Sequence, residues 1–212
     1  MDAVLSTLSQ YRLIPILVMQ RVEDVYPVGE ALLEGGLPVA EITFRSEVAA
    51  AAIAEWVQHF PDMLVGAGTV LTVQQAEAAH RAGAQFIVSP GFSATVAEYC
   101  RRAAVRYFPG VATATEIQMA LEKNLDIVKF FPSEASGGIK TIRALSNPFP
   151  QVRFIPTGGI TADNVADYLA LSQVLACGGS WMVRESLIQE GRFDLIRERV
   201  QQAVEAAKAV DQ

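Results

Sequence analysis

One lysine stands in a stretch whose composition is otherwise that of a buried β-strand. Lys129 follows Leu125 and Ile127 at intervals of two residues, so a strand would point all three side chains toward the same apolar side. Burial disfavours the charged form of an amine, and a neutral amine is a nucleophile toward carbonyl carbon. The pattern therefore predicts covalent chemistry on a carbonyl substrate. The alternative is a lysine at a strand end whose ammonium group reaches water along its apolar stem.

A carboxylate and a guanidinium follow the same spacing in an earlier apolar run. Glu41, Thr43 and Arg45 alternate with apolar residues, so the polar set faces the interior if the apolar set meets covering helices. This places a proton-transfer group beside a carboxylate-binding group, and the charge of Arg45 should favour the ionised form of Glu41. A structural Glu–Arg ion pair is the alternative. The next run ends in a small-residue turn that offers the hydroxyl of Thr69 to a ligand.

Two glycine pairs follow the last two apolar runs. Gly158-Gly159 and Gly178-Gly179 leave backbone N–H groups unobstructed, and such groups, together with helix amino ends, bind anions. The two positions predict a phosphate site, with plain glycine turns as the alternative. The stretch 108–110, which contains Pro109 and Gly110, is interpreted as a tight turn only.

Eight apolar runs alternate with helical patterns along the chain. The predicted strands are 13–18, 39–43, 63–66, 86–88, 105–108, the lysine run 125–132, 152–155 and 174–177. The predicted helices are 2–10, 22–33, 48–60, 73–81, 93–102, a segment opened by Thr113 or Thr115 and ended by Asn124, then 139–145, 163–171 and 193–210. Strands this continuously apolar need cover on both faces, which indicates a parallel sheet.

These units predict an α/β protein with a single domain over 1–212, folded as a (β/α)8 TIM barrel with an extra N-terminal helix. An open doubly wound sheet is the structural alternative, which periodicity alone leaves open. Gly36, Gly83 and Asn124 recur at helix ends in successive units, as expected of one repetitive domain. In a barrel the chemistry lies at the carboxyl ends of the strands, which is where the polar groups collect.

Composition narrows the class of protein. A net charge of -6 argues against a nucleic-acid surface, and only two cysteines, Cys100 and Cys177, argue against a secreted disulfide framework. The apolar run 13–18 is too short to span a bilayer, and the amino end has no basic leader. His59 and His80 lie away from the strand ends, so no metal-ligand set is expected. We therefore expect a cytoplasmic protein that binds neither membrane nor nucleic acid and needs no metal.

Six short motifs, in order over essentially the whole chain, resemble those of one enzyme family. They are Glu41-Ile42-Thr43-Phe44-Arg45, Gly66-Ala67-Gly68-Thr69-Val70, Ser89-Pro90-Gly91, Val128-Lys129-Phe130-Phe131-Pro132, Pro156-Thr157-Gly158-Gly159-Ile160 and Gly178-Gly179-Ser180-Trp181. The sequence resembles bacterial 2-keto-3-deoxy-6-phosphogluconate (KDPG) aldolase, also described as 4-hydroxy-2-oxoglutarate (KHG) aldolase.

The resemblance implies a class I aldolase that cleaves KDPG to pyruvate and glyceraldehyde 3-phosphate, with 4-hydroxy-2-oxoglutarate, cleaved to pyruvate and glyoxylate, as a further substrate. It implies that Lys129 forms the Schiff base, that Glu41 moves protons, and that no metal or organic cofactor is needed. The implied pyruvate-binding residues are Arg45, Thr69, Pro90 and Phe131, and the implied phosphate-binding residues are Thr157, Gly158, Gly159, Gly179 and Ser180. It also implies a homotrimer.

Three rival functions use the same residues differently. One is an aldolase for the galactonate epimer of the substrate. Another is a phosphate-binding isomerase or synthase barrel that works by acid–base chemistry without an imine. The third is a non-catalytic barrel that binds a phosphorylated metabolite, although a sensor has no need for a desolvated amine.

Overall fold

The computed structural model describes residues 2–210, in which strands and helices alternate. The strands are β1 Leu13–Leu17, β2 Val39–Thr43, β3 Leu64–Gly68, β4 Phe86–Val88, β5 Arg106–Phe108, β6 Gly110–Val111, β7 Ile127–Phe130, β8 Arg153–Pro156 and β9 Cys177–Gly179. The α-helices are α1 Ala3–Tyr11, α2 Val25–Glu34, α3 Ala49–His59, α4 Val73–Arg81, α5 Ala94–Ala103, α6 Ala114–Leu121, α7 Gly138–Ser146, α8 Val165–Leu169, α9 Glu185–Gln189 and α10 Phe193–Ala209. Two 3₁₀ helices cover Val22–Asp24 and Glu134–Ser136.

Within residues 2–210, neighbouring strands pair in parallel and form two hydrogen-bonded groups. One group has the order β5-β4-β3-β2-β1-β9 and the other β6-β7-β8. A bridge between Thr157 and Gly178 links the end of β8 to β9. The sheet is curled, because Glu41 on β2 and Lys129 on β7 face each other although their strands are not neighbours. The predicted α/β class with a parallel sheet is confirmed.

The tight turn predicted at 108–110 is wrong. Proline lacks an N–H, so Pro109 interrupts the ladder, but the chain resumes pairing at once with Gly110 opposite Lys129. The carbonyl of Pro109 accepts a hydrogen bond of 2.9 Å from the backbone N–H of Lys129. A Cβ at Gly110 would overlap the carbonyl group of Pro90, so only glycine fits where these two backbones meet. This interrupted strand supports the backbone of the lysine.

The core lies within the sheet and between the sheet and its helices. Every residue of β1, β2 and β3 is buried, as strands covered on both faces must be. Phe86 and Phe108 pack with ring centroids 5.8 Å apart, and Phe130 and Phe154 pack edge-on at 6.3 Å. Burial of each such ring contributes roughly 1.5–3 kcal/mol relative to exposure. The last helix buries one face, whose members are Ile196, Val200, Ala203, Val204 and Ala207.

The helix ends that were predicted from a capping or helix-ending residue are observed in the structure. Gly36, Gly83 and Asn124 have φ of +82°, +99° and +59°, the left-handed conformation that ends helices. Of the two threonines, Thr113 caps α6, through a capping box in which it accepts from the N–H of Glu116 at 3.3 Å and donates its own N–H to the Glu116 carboxylate at 2.9 Å.

The predicted and observed bounds of helices and strands differ most near the carboxyl end of the chain. Helix α8 spans Val165–Leu169 rather than 163–171, and the short helix α9 was not predicted. Strand β9 spans Cys177–Gly179 rather than 174–177, so the second glycine pair lies in a strand and not in a turn. A Cβ at Gly178 would lie 2.5 Å from the hydroxyl of Thr157. The glycine is needed for this close approach of two strand ends, which an apolar pattern does not reveal.

Candidate active site

A cavity of about 320 Å³ opens at the carboxyl ends of the strands. Its lining includes all eleven site residues expected from the sequence, together with two that were not expected, Ile16 and Ile160. The full lining is Ile16, Glu41, Arg45, Thr69, Pro90, Lys129, Phe131, Thr157, Gly158, Gly159, Ile160, Gly179 and Ser180. Residues more than 130 positions apart thus meet because parallel strands end at the same edge of the sheet.

Lys129 and Glu41 form a buried pair in the cavity wall. Lys129 is 5% exposed and Glu41 is 2% exposed, and Nζ of the lysine lies 3.6 Å from Oε1 of the glutamate. The alternative of a lysine that reaches bulk water is therefore wrong. Nζ also lies 5.3 Å from the centroid of the Phe131 ring, over its face. The amine has one acid partner and an apolar wall, the surroundings in which an amine can serve as a nucleophile.

One oxygen of the Glu41 carboxylate is available to accept a proton. Its Oε1 is buried and lies 3.6 Å from Nζ of Lys129, but it accepts no hydrogen bond from a protein group within residues 2–210. A buried oxygen without a hydrogen bond is unusual in a folded protein. The side chain lies across Gly68, where a Cβ would overlap its carboxylate oxygen. Gly68 therefore makes the space in which the carboxylate reaches the amine.

Arg45 and Glu41 line the same cavity but form no ion pair, so the alternative of a structural Glu–Arg ion pair is wrong. Its Nε donates to the hydroxyl of Thr43 at 3.3 Å, and Thr43 donates in turn to the carbonyl of Leu17 at 2.8 Å. Within residues 2–210 the guanidinium of Arg45 forms no ion pair, and Glu41 pairs with Lys129 instead. The sequence placed the three polar residues on one face but could not show which charges would meet. Arg45 is exposed where it lines the cavity, and a guanidinium of this kind can bind a carboxylate in two hydrogen bonds.

Thr69 holds an unusual backbone conformation beside this pair. Its φ of +54° lies in the left-handed region, which costs a residue with a branched side chain of the order of 1–3 kcal/mol and persists where the surroundings enforce it. The next residue, Val70, donates its N–H to the carbonyl of Val88 at 3.1 Å. Strand neighbours thus hold the Thr69 hydroxyl at the cavity wall. The sequence pointed to the hydroxyl but not to the strained backbone.

The opposite end of the cavity is made of backbone. Gly158 and Gly159 have φ of +93° and +83°, values that residues with a Cβ rarely adopt, and backbone N–H groups in turns of this kind can form a concave anion site. The N–H groups of Gly159 and Ser180 donate to no backbone carbonyl within residues 2–210. A Cβ at Gly179 would overlap the ring of Trp181. These groups form a cradle suited to a phosphate, and no carboxylate from residues 2–210 lines this end.

The remaining reactive side chains lie outside the cavity. Burial raises the pKa of the Cys100 thiol to about 12 and that of Cys177 further still, so neither carries a thiolate at neutral pH. His59 contacts the carbonyl of Glu55, and His80 contacts Tyr99. Within residues 2–210 no three His, Cys, Asp or Glu side chains are grouped as metal ligands. The same residues include no helix whose length and hydropathy would let it cross a bilayer.

Sequence reasoning missed a hydrogen-bonded group behind the glycine end. The buried hydroxyls of Ser133 and Tyr168 lie 3.0 Å apart, and the Tyr168 hydroxyl also donates to the carboxylate of Glu134. Tyr168 lies on α8, where its position in an apolar pattern is typical of an ordinary core residue. Nothing local in the sequence connects it with residues 34 and 35 positions earlier.

Comparison with known proteins agrees with this geometry. The family model described as KDPG and KHG aldolase matches residues 4–199. A 2-dehydro-3-deoxy-phosphogluconate aldolase of Treponema pallidum (strain Nichols) is 48% identical over 205 residues, which cover 97% of this chain and 98% of that protein. A KHG/KDPG aldolase of Escherichia coli (strain K12) is 41% identical over 203 residues, covering 96% and 95%.

A solved structure supports the same assignment. The KDPG aldolase of Legionella pneumophila, with pyruvate captured at low pH as a covalent carbinolamine intermediate, is 38% identical and superposes with a TM-score of 0.91. The match covers 94% of this chain and 97% of that one. On the family model and on relatives above 40% identity over nearly the full length, this chain belongs to the KDPG and KHG aldolase family.

Proposed function

We propose that this protein is a class I aldolase that cleaves KDPG to pyruvate and glyceraldehyde 3-phosphate through a Schiff base on Lys129. The observation that carries the proposal is the buried Lys129–Glu41 pair, 3.6 Å apart, in a cavity whose other end is a cradle of backbone N–H groups. The relatives named above are aldolases, and the Legionella enzyme holds pyruvate covalently as a carbinolamine.

The first half of the reaction forms the covalent intermediate. The amine of Lys129, once deprotonated, attacks the C2 carbonyl, and Glu41 transfers protons so that the carbinolamine loses water and becomes an iminium. Oε1 of Glu41, which lies 3.6 Å from Nζ and accepts no hydrogen bond within residues 2–210, is the atom available for these transfers. An iminium accepts an electron pair from the neighbouring C–C bond far better than a neutral ketone does, so the lysine supplies the electron sink.

The second half breaks the C3–C4 bond. Glu41, directly or through water, removes the proton of the C4 hydroxyl, the C3–C4 electron pair moves toward the iminium, and the aldehyde product leaves. The pyruvate enamine that remains is protonated at C3, and hydrolysis of the resulting imine frees pyruvate and the amine. No redox partner is required, since the electrons that leave C4 end on C3.

The residues around the pair divide the substrate between them. The planar guanidinium of Arg45 suits bidentate binding of the substrate carboxylate, with Thr69, Pro90 and Phe131 closing around the pyruvate half. The phosphate of the other half is assigned to Thr157, Gly158, Gly159, Gly179 and Ser180. The absence of a carboxylate at this end supports the assignment, because a nearby negative charge would repel a phosphate.

The finer architecture belongs to the same proposal. We take β5 and β6 as one strand interrupted at Pro109, and the Thr157–Gly178 bridge as the closure, which gives one eight-stranded barrel domain with α1 as an extra helix. By family likeness the enzyme is assigned as a cytoplasmic homotrimer without a cofactor. Light scattering tests the assembly, with a mass three times that of the 22.9 kDa chain expected.

The rival functions predict different outcomes. An aldolase for the galactonate epimer shares every group described here, so turnover of the two epimers must be compared directly. An isomerase or synthase would keep its activity after treatment with borohydride and pyruvate. A metabolite sensor would bind the phosphorylated acid without releasing pyruvate. Membership of an aldolase family favours lysine chemistry over the last two.

One pair of measurements tests the proposal. Pyruvate release from KDPG should proceed with a strong chelator present, and borohydride reduction in the presence of pyruvate should add the reduced pyruvyl group to Lys129. Peptide mass spectrometry locates the adduct, with Lys123 and Lys140 as internal controls. An adduct on either control lysine, or activity that survives the reduction, would contradict the mechanism.

A further inference from the structure

The segment that follows the lysine strand runs along the back of the phosphate cradle. The backbone N–H of Ser133 donates to the carbonyl of Thr157 at 2.7 Å, and that of Glu134 donates to the carbonyl of Gly158 at 3.0 Å. These bonds join the chain just beyond Lys129 to the peptide units that precede Gly158 and Gly159 in the cavity wall. The conformation of the cradle therefore depends on what holds residues 133 and 134.

Tyr168 holds both residues from α8. It is 1% exposed, its hydroxyl lies 3.0 Å from that of the fully buried Ser133, and it donates to the carboxylate of Glu134. Burial, with the Glu134 hydrogen bond adding to it, raises the pKa of Tyr168 to about 12, so the phenol keeps its proton at neutral pH. A Cβ at Gly138 would lie 2.8 Å from this hydroxyl, so the hydroxyl packs closely against the backbone of Gly138.

The side chain of Glu134 separates its charge from the cradle. Its Cβ and Cγ cover Gly159, where a Cβ would lie 2.6 and 2.5 Å from them, while its carboxylate turns back to Tyr168. Glu134 is exposed and forms no ion pair within residues 2–210. Without the phenol, this carboxylate would be free to rotate toward the same N–H groups that a phosphate needs, and would compete with it.

We infer that Tyr168 is a positioning residue that makes the site selective for phosphorylated keto acids, because its hydroxyl fixes Glu134 against Gly159 and directs the Glu134 carboxylate away from the phosphate. This rests on the function proposed above. Tyr168 does not touch substrate and acts through Ser133 and Glu134. Its removal should weaken the phosphate end of the cavity and leave the Lys129–Glu41 end unchanged.

The test compares two substrates in the Tyr168→Phe variant. The KM for KDPG should rise roughly tenfold, since a charge-assisted hydrogen bond is lost and a carboxylate is released near the phosphate. The kcat for KDPG, and both constants for the unphosphorylated 4-hydroxy-2-oxoglutarate, should change less than about twofold. Adding Glu134→Gln to Tyr168→Phe should recover part of the lost affinity, because the amide carries no charge.

Tyr107→Phe provides the matched control. Tyr107 is also buried, its hydroxyl also lies close to a serine hydroxyl, that of Ser89, and burial also raises its pKa to about 12. Its removal should cost similar stability without changing the ratio of the two KM values. If Tyr168→Phe raised both KM values equally, or neither, Tyr168 would be only a core residue and the inference would be overturned.

A binding measurement separates this inference from the proposed reaction. Phosphorus NMR titration with inorganic phosphate should give a Kd that is roughly tenfold weaker for Tyr168→Phe than for the unaltered protein and for Tyr107→Phe. If the unaltered protein released no pyruvate from KDPG, the proposed function would fail, while this titration would still decide the role of Tyr168. Equal phosphate affinity in all three proteins would overturn the inference.

Discussion

The two ends of the cavity are built from different parts of the polypeptide. The pyruvate end consists of charged side chains, Lys129 and Glu41, on strands buried on both faces. The phosphate end consists of backbone, at Gly158, Gly159 and Gly179, with neighbouring side chains packed against each glycine. One end can therefore be disabled by removing a side chain, and the other by adding a single methyl group.

The two ends of the cavity also carry different energetic costs. Taking an ammonium and a carboxylate out of water costs several kcal/mol per ion, and their attraction offsets this only where further hydrogen bonds satisfy both groups. Oε1 of Glu41, 3.6 Å from Nζ, accepts no hydrogen bond within residues 2–210. The glycine end instead costs backbone entropy, which its hydrogen bonds and close packing offset. The pyruvate end is thus a stability cost retained for reactivity, and replacing both charged groups together should separate activity from stability.

The largest effect is expected from Lys129→Met, which keeps the length of the side chain and removes the nucleophile. Turnover of KDPG should fall by on the order of 10⁴-fold or more, and borohydride trapping should disappear. Glu41 would be left as an unpaired buried carboxylate, at a cost of about 3–5 kcal/mol in the free energy of unfolding. Adding Glu41→Gln should recover much of that stability and none of the activity, as urea unfolding and pyruvate release would measure. The exposed Lys123→Met is the control.

Glu41→Gln comes next. Its kcat should fall by roughly 10²–10⁴-fold, the range for loss of a general acid–base group, while pyruvate trapping on Lys129 should persist at a reduced rate. The KM for KDPG should change little, because neither the carboxylate-binding nor the phosphate-binding groups are altered. Stopped-flow kinetics with parallel trapping separate the two constants. Normal turnover would exclude Glu41 from the mechanism.

Alternation along strands was sufficient to predict the pyruvate end. Glu41 and Lys129 each stand in phase with neighbours that must face the interior, so a period of two residues placed both in the cavity. It did not predict which charges meet, and Arg45 contacts Thr43 rather than Glu41. Pairing across a curled sheet depends on strand order and on the space left by Gly68, and neither is a property of one strand.

The phosphate end was predicted less completely. Glycine pairs signalled exposed backbone, but Gly178 and Gly179 lie in a strand and not in a turn, because closeness to another strand favours glycine as strongly as a turn does. Tyr168 was not predicted, since a hydrogen bond between α8 and the segment after β7 leaves no local pattern. Sequence periodicity describes single elements, whereas this end depends on contacts between elements.

A methyl group can also disable the pyruvate end, which sharpens the comparison. Gly68→Ala would place its Cβ on the Glu41 carboxylate, whereas Gly66→Ala would place it on the buried ring of Phe86. The carboxylate end of a glutamate can move, so Gly68→Ala should lower kcat by roughly 10²-fold with little loss of stability. The Phe86 ring cannot move, so Gly66→Ala should cost about 1–3 kcal/mol of folding stability. Thermal unfolding and pyruvate release on both variants distinguish these outcomes, and equal kcat values would contradict the assigned position of Glu41.

The smallest effect is expected at the phosphate end, from Gly159→Ala, and Gly36→Ala is its matched control. The two glycines have φ of +83° and +82°, but a Cβ at Gly159 would lie 2.5 Å from Glu134, whereas a Cβ at Gly36 would have nothing within 4 Å. Both variants should lose about 1–2 kcal/mol of folding stability from the left-handed backbone alone. Only Gly159→Ala should raise the KM for KDPG, by roughly tenfold, because Glu134 and the cradle must separate to admit the methyl group. An equal rise of KM in both variants would mean that backbone strain governs phosphate binding, and not the contact between Glu134 and Gly159. The distinction between the two ends of the cavity would then not hold.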